Sequence, residues 1–134
     1  MKQKAFLTLV SLVALAVGTM ALALPATLLE SKGVLPDAAT QIWVRQTGLL
    51  ILATGLSTYL VRAHPDSATL RSLLLCNAAL QAGILPIELG AHFQGTIPRL
   101  SSVLPNSIFH LFSGLGFLYF GLRMRSRLSA SSVR

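Results

Sequence analysis

The sequence predicts an all-α integral membrane protein, an antiparallel four-helix bundle with an up-down-up-down path, formed as one domain over residues 1–134. The chain is 53% hydrophobic and only 11% charged, which leaves too few charged side chains to coat a soluble domain of this size. Four apolar segments approach the roughly 20 residues that a helix needs to cross the hydrocarbon core. The basic residues lie at the ends of these segments, where membrane topology places them.

The four predicted spans carry no charge near their centres, where a charge would cost about 3 kcal/mol. Their approximate bounds are 6–24, 42–61, 70–89 and 106–123. The segments between them contain the Pro and Gly residues expected of loops. After the fourth span, residues 126–134 form a basic, Ser-rich tail that we expect to be disordered.

The distribution of Lys and Arg predicts the orientation. Eight of these residues fall on one side of the predicted bundle and three on the other, so the positive-inside rule places both termini in the cytoplasm. The eight are Lys2, Lys4, Arg62, Arg71, Arg123, Arg125, Arg127 and Arg134, and the three are Lys32, Arg45 and Arg99. We therefore expect a multi-pass protein of the cell (inner) membrane.

The first span also resembles a secretory signal peptide. Two lysines precede an apolar stretch that ends in Ala21-Leu22-Ala23, an A-x-A cleavage pattern. Cleavage of residues 1–23 would leave three spans and an outer N-terminus. An apolar stretch of about 19 residues is long for a signal peptide, which favours retention, but the alternative stays open.

Small residues predict where the spans contact one another, because close helix approach in lipid needs short side chains. The second span has Gly48 and Gly55 on one face, and the fourth has Gly114 and Gly121 at the same spacing. Ala14 with Gly18 in the first span, and Ala79 with Gly83 in the third, are the corresponding candidates there.

Polar residues inside a span are costly and usually face the protein interior. Asn77, Gln81 and Glu88 share one face of the third span, and Asn106 and His110 share one face of the fourth. The second span contributes Arg45. These six residues predict a polar pocket that opens to the outer leaflet, with an Arg45–Glu88 ion pair and His110 as a hydrogen-bonding partner. The alternative is purely structural: the pair would fix helix register.

The sequence lacks the motifs of the common enzyme classes. It has no Walker motif, no G-x-S-x-G and no HExxH, and the lone Cys76 excludes a multi-thiolate metal site. We therefore predict no catalytic residues, no metal and no cofactor. The net charge of +7 does not indicate nucleic-acid binding, because the basic residues flank the apolar segments instead of forming one basic face.

The chain resembles the small bacterial four-helix membrane proteins of the DoxX-like type and related families of unknown function. The resembling features are Gly18 to Pro25 at the end of the first span, Arg45-x-x-Gly48 and Arg62 in the second, and Leu70-Arg71 opening the third. The resemblance implies a compact four-helix bundle without an established catalytic role.

Three functional hypotheses follow. The first is a non-enzymatic membrane protein, an accessory subunit or a lipid- or small-ligand-binding bundle with the outer-leaflet pocket described above. The second is a small oligomeric transporter or proton-coupled carrier that uses Glu88. The third is quinone binding or membrane redox chemistry at His110. Membrane lipids are the expected partners, with either a partner membrane subunit or further copies of the chain.

Overall fold

A computed structural model of the chain describes residues 2–131, with side chains through Met124. The described chain is all-helical. Its five helices are α1 (Gln3–Ala23), α2 (Pro25–Ser31), α3 (Ala38–Val61), α4 (Ala68–Phe93) and α5 (Leu100–Ser131). Four of them are long, and α2 is a short helix within the first connection.

Local capping explains where two of the long helices begin. The Asp37 side chain accepts a hydrogen bond from the backbone N–H of Thr40, 2.9 Å away, at the start of α3. Ser67 does the same for Leu70, at 3.1 Å, at the start of α4. Each bond satisfies a backbone donor that the first helical turn leaves free.

The structure differs from the predicted boundaries at the outer connections. Residues 25–41 were expected to be a loop, but α2 forms there with Pro25 at its first position, where a missing N–H is tolerated. The loop expected over residues 90–105 is shortened from both sides, since α4 continues to Phe93 and α5 begins at Leu100. Pro105, which was expected in that loop, thus lies inside α5. Pro86 lies inside α4, within the predicted span 70–89. At its other end α5 continues to Ser131, into the predicted disordered tail, whose residues 132–134 lie outside the described chain.

Three helices are long and apolar enough to cross a membrane. They are Gln3–Ala23, Ala68–Phe93 and Leu100–Met124, with mean hydropathies of 2.3, 1.5 and 1.3. Over its described residues the protein is therefore all-α with three candidate spans. The α3 helix has sufficient length, 24 residues, but it is not among the three, because Arg45, two glutamines and five Thr or Ser residues dilute its apolar character.

Helices α1 and α3 form an antiparallel hairpin, which we call hairpin A, with backbones in close contact. A Cβ added at Gly48 would lie 2.8 Å from Leu22 N and 3.0 Å from Gly18 O. A Cβ added at Gly55 would lie 3.0 Å from the Ala14 Cβ. The predicted contact face of small residues is confirmed for this pair of helices.

Helices α4 and α5 form a second antiparallel hairpin, hairpin B. A Cβ at Gly114 would meet Gln81 Cβ at 3.2 Å, and one at Gly121 would meet Leu75 Cδ2 at 2.9 Å. The predicted roles of these two glycines are confirmed. The prediction for Gly83 is wrong: nothing in the described chain lies within 4 Å of a Cβ built there, because it faces away from α5.

The two hairpins meet in an apolar core at the end where α1 and α4 begin. Phe6 is its centre, fully buried, with ring centroids 5.1 Å from Phe117 and 5.3 Å from Phe120. Leu7, Val10, Leu70, Leu74, Ala78 and Met124 complete this buried cluster. Gly116 makes room for it, since a Cβ there would overlap the Phe6 ring. The opposite end has no comparable apolar cluster among the described residues and carries the polar groups instead.

Candidate functional site

The polar site is built around the carboxylate of Glu88 near the end of α4. The Glu88 side chain is only 10% exposed. It accepts hydrogen bonds from Asn106 Nδ2 at 3.0 Å and from Ser107 Oγ at 3.2 Å, both on α5. Lys32 Nζ lies 3.4 Å from Oε1 and completes an ion pair. Removing a carboxyl group from water costs free energy, and the ammonium and the two hydrogen-bond donors compensate for the lost hydration.

The cation of this pair does not come from a long helix. Lys32 directly follows α2, and its ammonium also donates to the Ser102 carbonyl at 3.2 Å. The connection between α1 and α3 is thereby fastened across the ends of α4 and α5. The Lys32 side chain is 18% exposed, so the ion pair lies at the boundary of the protein interior.

The predicted Arg45–Glu88 pair is wrong. Arg45 lies on α3, which packs on α1 in hairpin A, and its side chain is exposed. Within the described residues, Lys32 is the ion-pair partner of Glu88. Helix periodicity could place Arg45 on a face of its own helix but could not show that a connecting segment supplies a nearer cation.

Two more of the predicted residues contact each other nearer the middle of hairpin B. His110 Nδ1 donates to Gln81 Oε1 at 2.6 Å, which joins α5 to α4 inside the membrane-length segments. His92, by contrast, bonds the Ile97 carbonyl at 2.8 Å and stabilises the turn after α4. It does not join the Glu88 cluster.

Asn77 is the most deeply placed of the predicted polar residues. It is 7% exposed, and its Nδ2 donates to the Leu73 carbonyl at 2.9 Å within its own helix. Its Oδ1 is buried and has no hydrogen-bond partner among the described residues. A buried acceptor without a partner is costly and calls for an explanation.

A small cavity lies between the two hairpins at this level. Its volume is about 30 Å³, and side chains from all four long helices line it. That volume accommodates a water molecule or two but not a lipid tail or a quinone. Among the lining residues are Ser11, Thr58, Asn77, Gln81, Ser113 and Phe117.

The structure thus brings together five of the six predicted residues along the interior of hairpin B and leaves Arg45 outside. Sequence reasoning missed Lys32 and Ser107 at the Glu88 end, and Ser11 and Thr58 beside the cavity. The sequence could have indicated Ser107 as a site residue, because it is next to Asn106 and lies about one helical turn before His110. Lys32 gave no periodic signal, since it lies in a connection.

The arrangement offers an anionic acceptor at one end and neutral hydrogen-bonding groups further in. In the part of the chain that the structure describes, no group of three or more His, Cys, Asp or Glu residues could hold a metal ion. Comparison of the chain with protein-family models, with curated proteins and with solved structures finds no match. Functional conclusions therefore depend on the site itself.

Proposed function

We propose that the chain is a non-enzymatic integral membrane protein that binds a lipid head group or a small polar solute at Glu88. In this proposal all four long helices cross the inner membrane, both termini are cytoplasmic, and Glu88 lies near the outer leaflet. The bundle acts alone, with further copies of itself, or as an accessory subunit. The observation that carries the proposal is the nearly buried Glu88 carboxylate with its Lys32 partner.

The length and packing of α3 support its inclusion as a membrane span in this proposal. Twenty-four residues extend about 36 Å as a helix, which exceeds the roughly 30 Å hydrocarbon core. Large apolar side chains cover its outward face, including Leu49, Leu50, Leu56 and Leu60. Arg45 is the eighth residue of α3, about 10 Å from its start, a distance that lets its long side chain extend toward the interface.

The chemistry of the site indicates the ligand class. A carboxylate accepts hydrogen bonds or pairs with a cation, so the ligand must present an amine, a hydroxyl or another N–H or O–H donor. In the structure the Lys32 ammonium is the cation paired with Glu88, and it is partly exposed. A ligand amine or hydroxyl could therefore replace Lys32 as the partner of the carboxylate. An ionisable residue at membrane depth is by itself a functional candidate.

Native mass spectrometry of the protein, purified gently from its own membranes, tests this proposal. We expect an additional bound mass in the wild-type protein and in Glu30→Gln, whose exposed carboxylate lies on α2 at the same end of the molecule. Glu88→Gln should lose it. A wild-type protein that carries no ligand, or a Glu88→Gln variant that carries the same ligand, would contradict the proposal.

A second candidate function is a proton-coupled carrier. Two titratable residues, Glu88 and His110, lie on the interior of hairpin B and favour this function. Gln81 is hydrogen-bonded to His110 and also lines the cavity, so it connects the two features. Substrate-dependent proton movement in liposomes, retained in Glu30→Gln and absent in Glu88→Gln, would support the carrier. Ligand binding without flux would leave the first proposal.

A further inference from the structure

We propose that the cavity between the two hairpins is a water-binding site at the mid-depth of the membrane, organised by Asn77 and bounded on the cytoplasmic side by Phe117, against which Phe6 packs. This inference rests on the membrane placement proposed above but not on a ligand at Glu88. The ligand of the new site is water, or a solute no larger that can both donate and accept hydrogen bonds.

The first argument is the unsatisfied acceptor. Asn77 Oδ1 is buried and lacks a hydrogen-bond partner among residues 2–124, while the Asn77 side chain lines the cavity. In lipid surroundings such an acceptor cannot obtain a hydrogen bond from bulk water. A water molecule in the cavity would supply the missing donor.

The second argument is that the cavity has the size and the partners that a bound water needs. A buried water requires about 10–15 Å³ and two to four polar groups, and this cavity offers about 30 Å³. The Gln81 amide nitrogen can donate to the water, since its Oε1 is used by His110. The hydroxyl of Ser113 donates to the Phe109 carbonyl at 2.6 Å and keeps lone pairs free to accept.

The third argument is the asymmetry of the interior. Below the cavity, Phe6 packs edge-on against Phe117, and the surrounding cluster is apolar and buried. Above it, Gln81 and His110 continue the polar lining toward Glu88. Water would therefore enter from the Glu88 side and stop at Phe117. The site is then a polar pocket with a single entrance, and the bound water lies next to the Gln81–His110 pair.

Radiolytic hydroxyl labelling of the protein in lipid nanodiscs tests the proposal, because bound water generates radicals that oxidise adjacent side chains. Phe117 is 3% exposed and lines the cavity. Phe112 is 43% exposed, does not line the cavity, and lies five residues earlier on α5, about 7.5 Å away along the helix axis. We expect strong oxidation of Phe117 and little oxidation of Phe112, whose surroundings are lipid. Equal and low oxidation of both rings would overturn the water site.

The variant Asn77→Leu removes the acceptor with little change in volume and should reduce Phe117 oxidation to the level of Phe112. Unchanged oxidation of Phe117 in a variant of wild-type helix content would also overturn the proposal. Glu88→Gln should leave Phe117 oxidation in place, so loss of the Glu88 ligand and loss of the water site are separate results. Heavy oxidation of Phe112 would show that this face meets water and would overturn the membrane placement on which both proposals rest.

Discussion

At the scale of single residues, the polar site shows what helix periodicity can and cannot predict. Asn77, Gln81 and Glu88 were expected on one face of a helix, and the structure places all three toward the protein interior. The spacing of residues along a helix determines which of them share a face. The ion-pair partner of Glu88 was wrongly predicted, because Lys32 reaches it through the tertiary path of a connection.

A double-mutant cycle distinguishes the two possible partners of Glu88. We expect Lys32→Met to destabilise the protein by about 1–3 kcal/mol, because it leaves a nearly buried carboxylate without its cation. Its effect and that of Glu88→Gln should be strongly non-additive, as for groups in contact. Thermal unfolding in detergent micelles measures both effects.

The matched control for this cycle is Arg45→Met combined with Glu88→Gln. Arg45 is exposed on α3, so these two substitutions should add within about 0.5 kcal/mol. Coupling of Glu88 with Arg45 and additivity with Lys32 would contradict the observed pairing.

The start of α3 should make a pH-dependent contribution to stability. The hydrogen bond from the Thr40 side chain, followed by that from the Thr40 backbone, holds the pKa of Asp37 below its ordinary 3.8. Since the folded-state pKa is the lower one, the stabilisation is complete above pH 3.8 and is lost as the pH falls through the lowered pKa. Asp37→Asn keeps a capping oxygen without a titration. The variant should therefore gain stability relative to wild type in acid, as measured by unfolding across pH, and a constant difference would contradict this account.

At the scale of helices and hairpins, glycine spacing predicted most of the contacts. Gly48, Gly55, Gly114 and Gly121 all face the partner helix of their own hairpin. Gly83 fits the same small-residue pattern but faces away from the described chain. Small residues are compatible with close approach without requiring it, so their spacing alone could not separate these two cases.

Substitution of these glycines tests the packing of hairpin A. Gly48→Ala places a Cβ against backbone atoms of α1 at 2.8–3.0 Å, and because backbone cannot rotate aside, we expect a loss of about 1–3 kcal/mol. Gly83→Ala is the matched control, with nothing within 4 Å in the described chain, and should be neutral or stabilising by up to about 1 kcal/mol through helix propensity. Thermal unfolding in detergent micelles measures both changes in stability, and equal effects of the two substitutions would contradict the close packing of α1 against α3 at Gly48.

Helix ends were the least predictable feature at this scale. Pro25 and Pro105 were expected to lie in loops, yet α2 begins at Pro25 and Pro105 lies within α5. Pro86 lies within α4, inside the predicted third span. Helices in lipid tolerate proline because neighbouring groups satisfy the freed carbonyls. A proline removes a backbone hydrogen bond, but its position alone does not predict where a helix begins or ends.

At the scale of the whole molecule, composition predicted an all-helical chain of membrane-crossing character, and three helices have the required length and apolarity. The division into two hairpins, joined by an apolar core at one end and carrying polar groups at the other, could not be predicted from composition. It depends on contacts such as Phe6 with Gly116, which join residues distant in sequence. The orientation is a prediction from the distribution of basic residues, and the membrane crossing of α3 is a prediction from its length and its exposed apolar face.

The crossing of α3 tests the proposed architecture most directly. In a Cys76→Ser background, a single cysteine is introduced at Leu35, before α3, or at His64, after it; both positions are exposed. A membrane-impermeant maleimide should label Leu35→Cys from outside intact cells and His64→Cys only after the membrane is opened. Labelling of both cysteines from the same side would contradict a four-span bundle, because α3 would then begin and end on one face of the membrane.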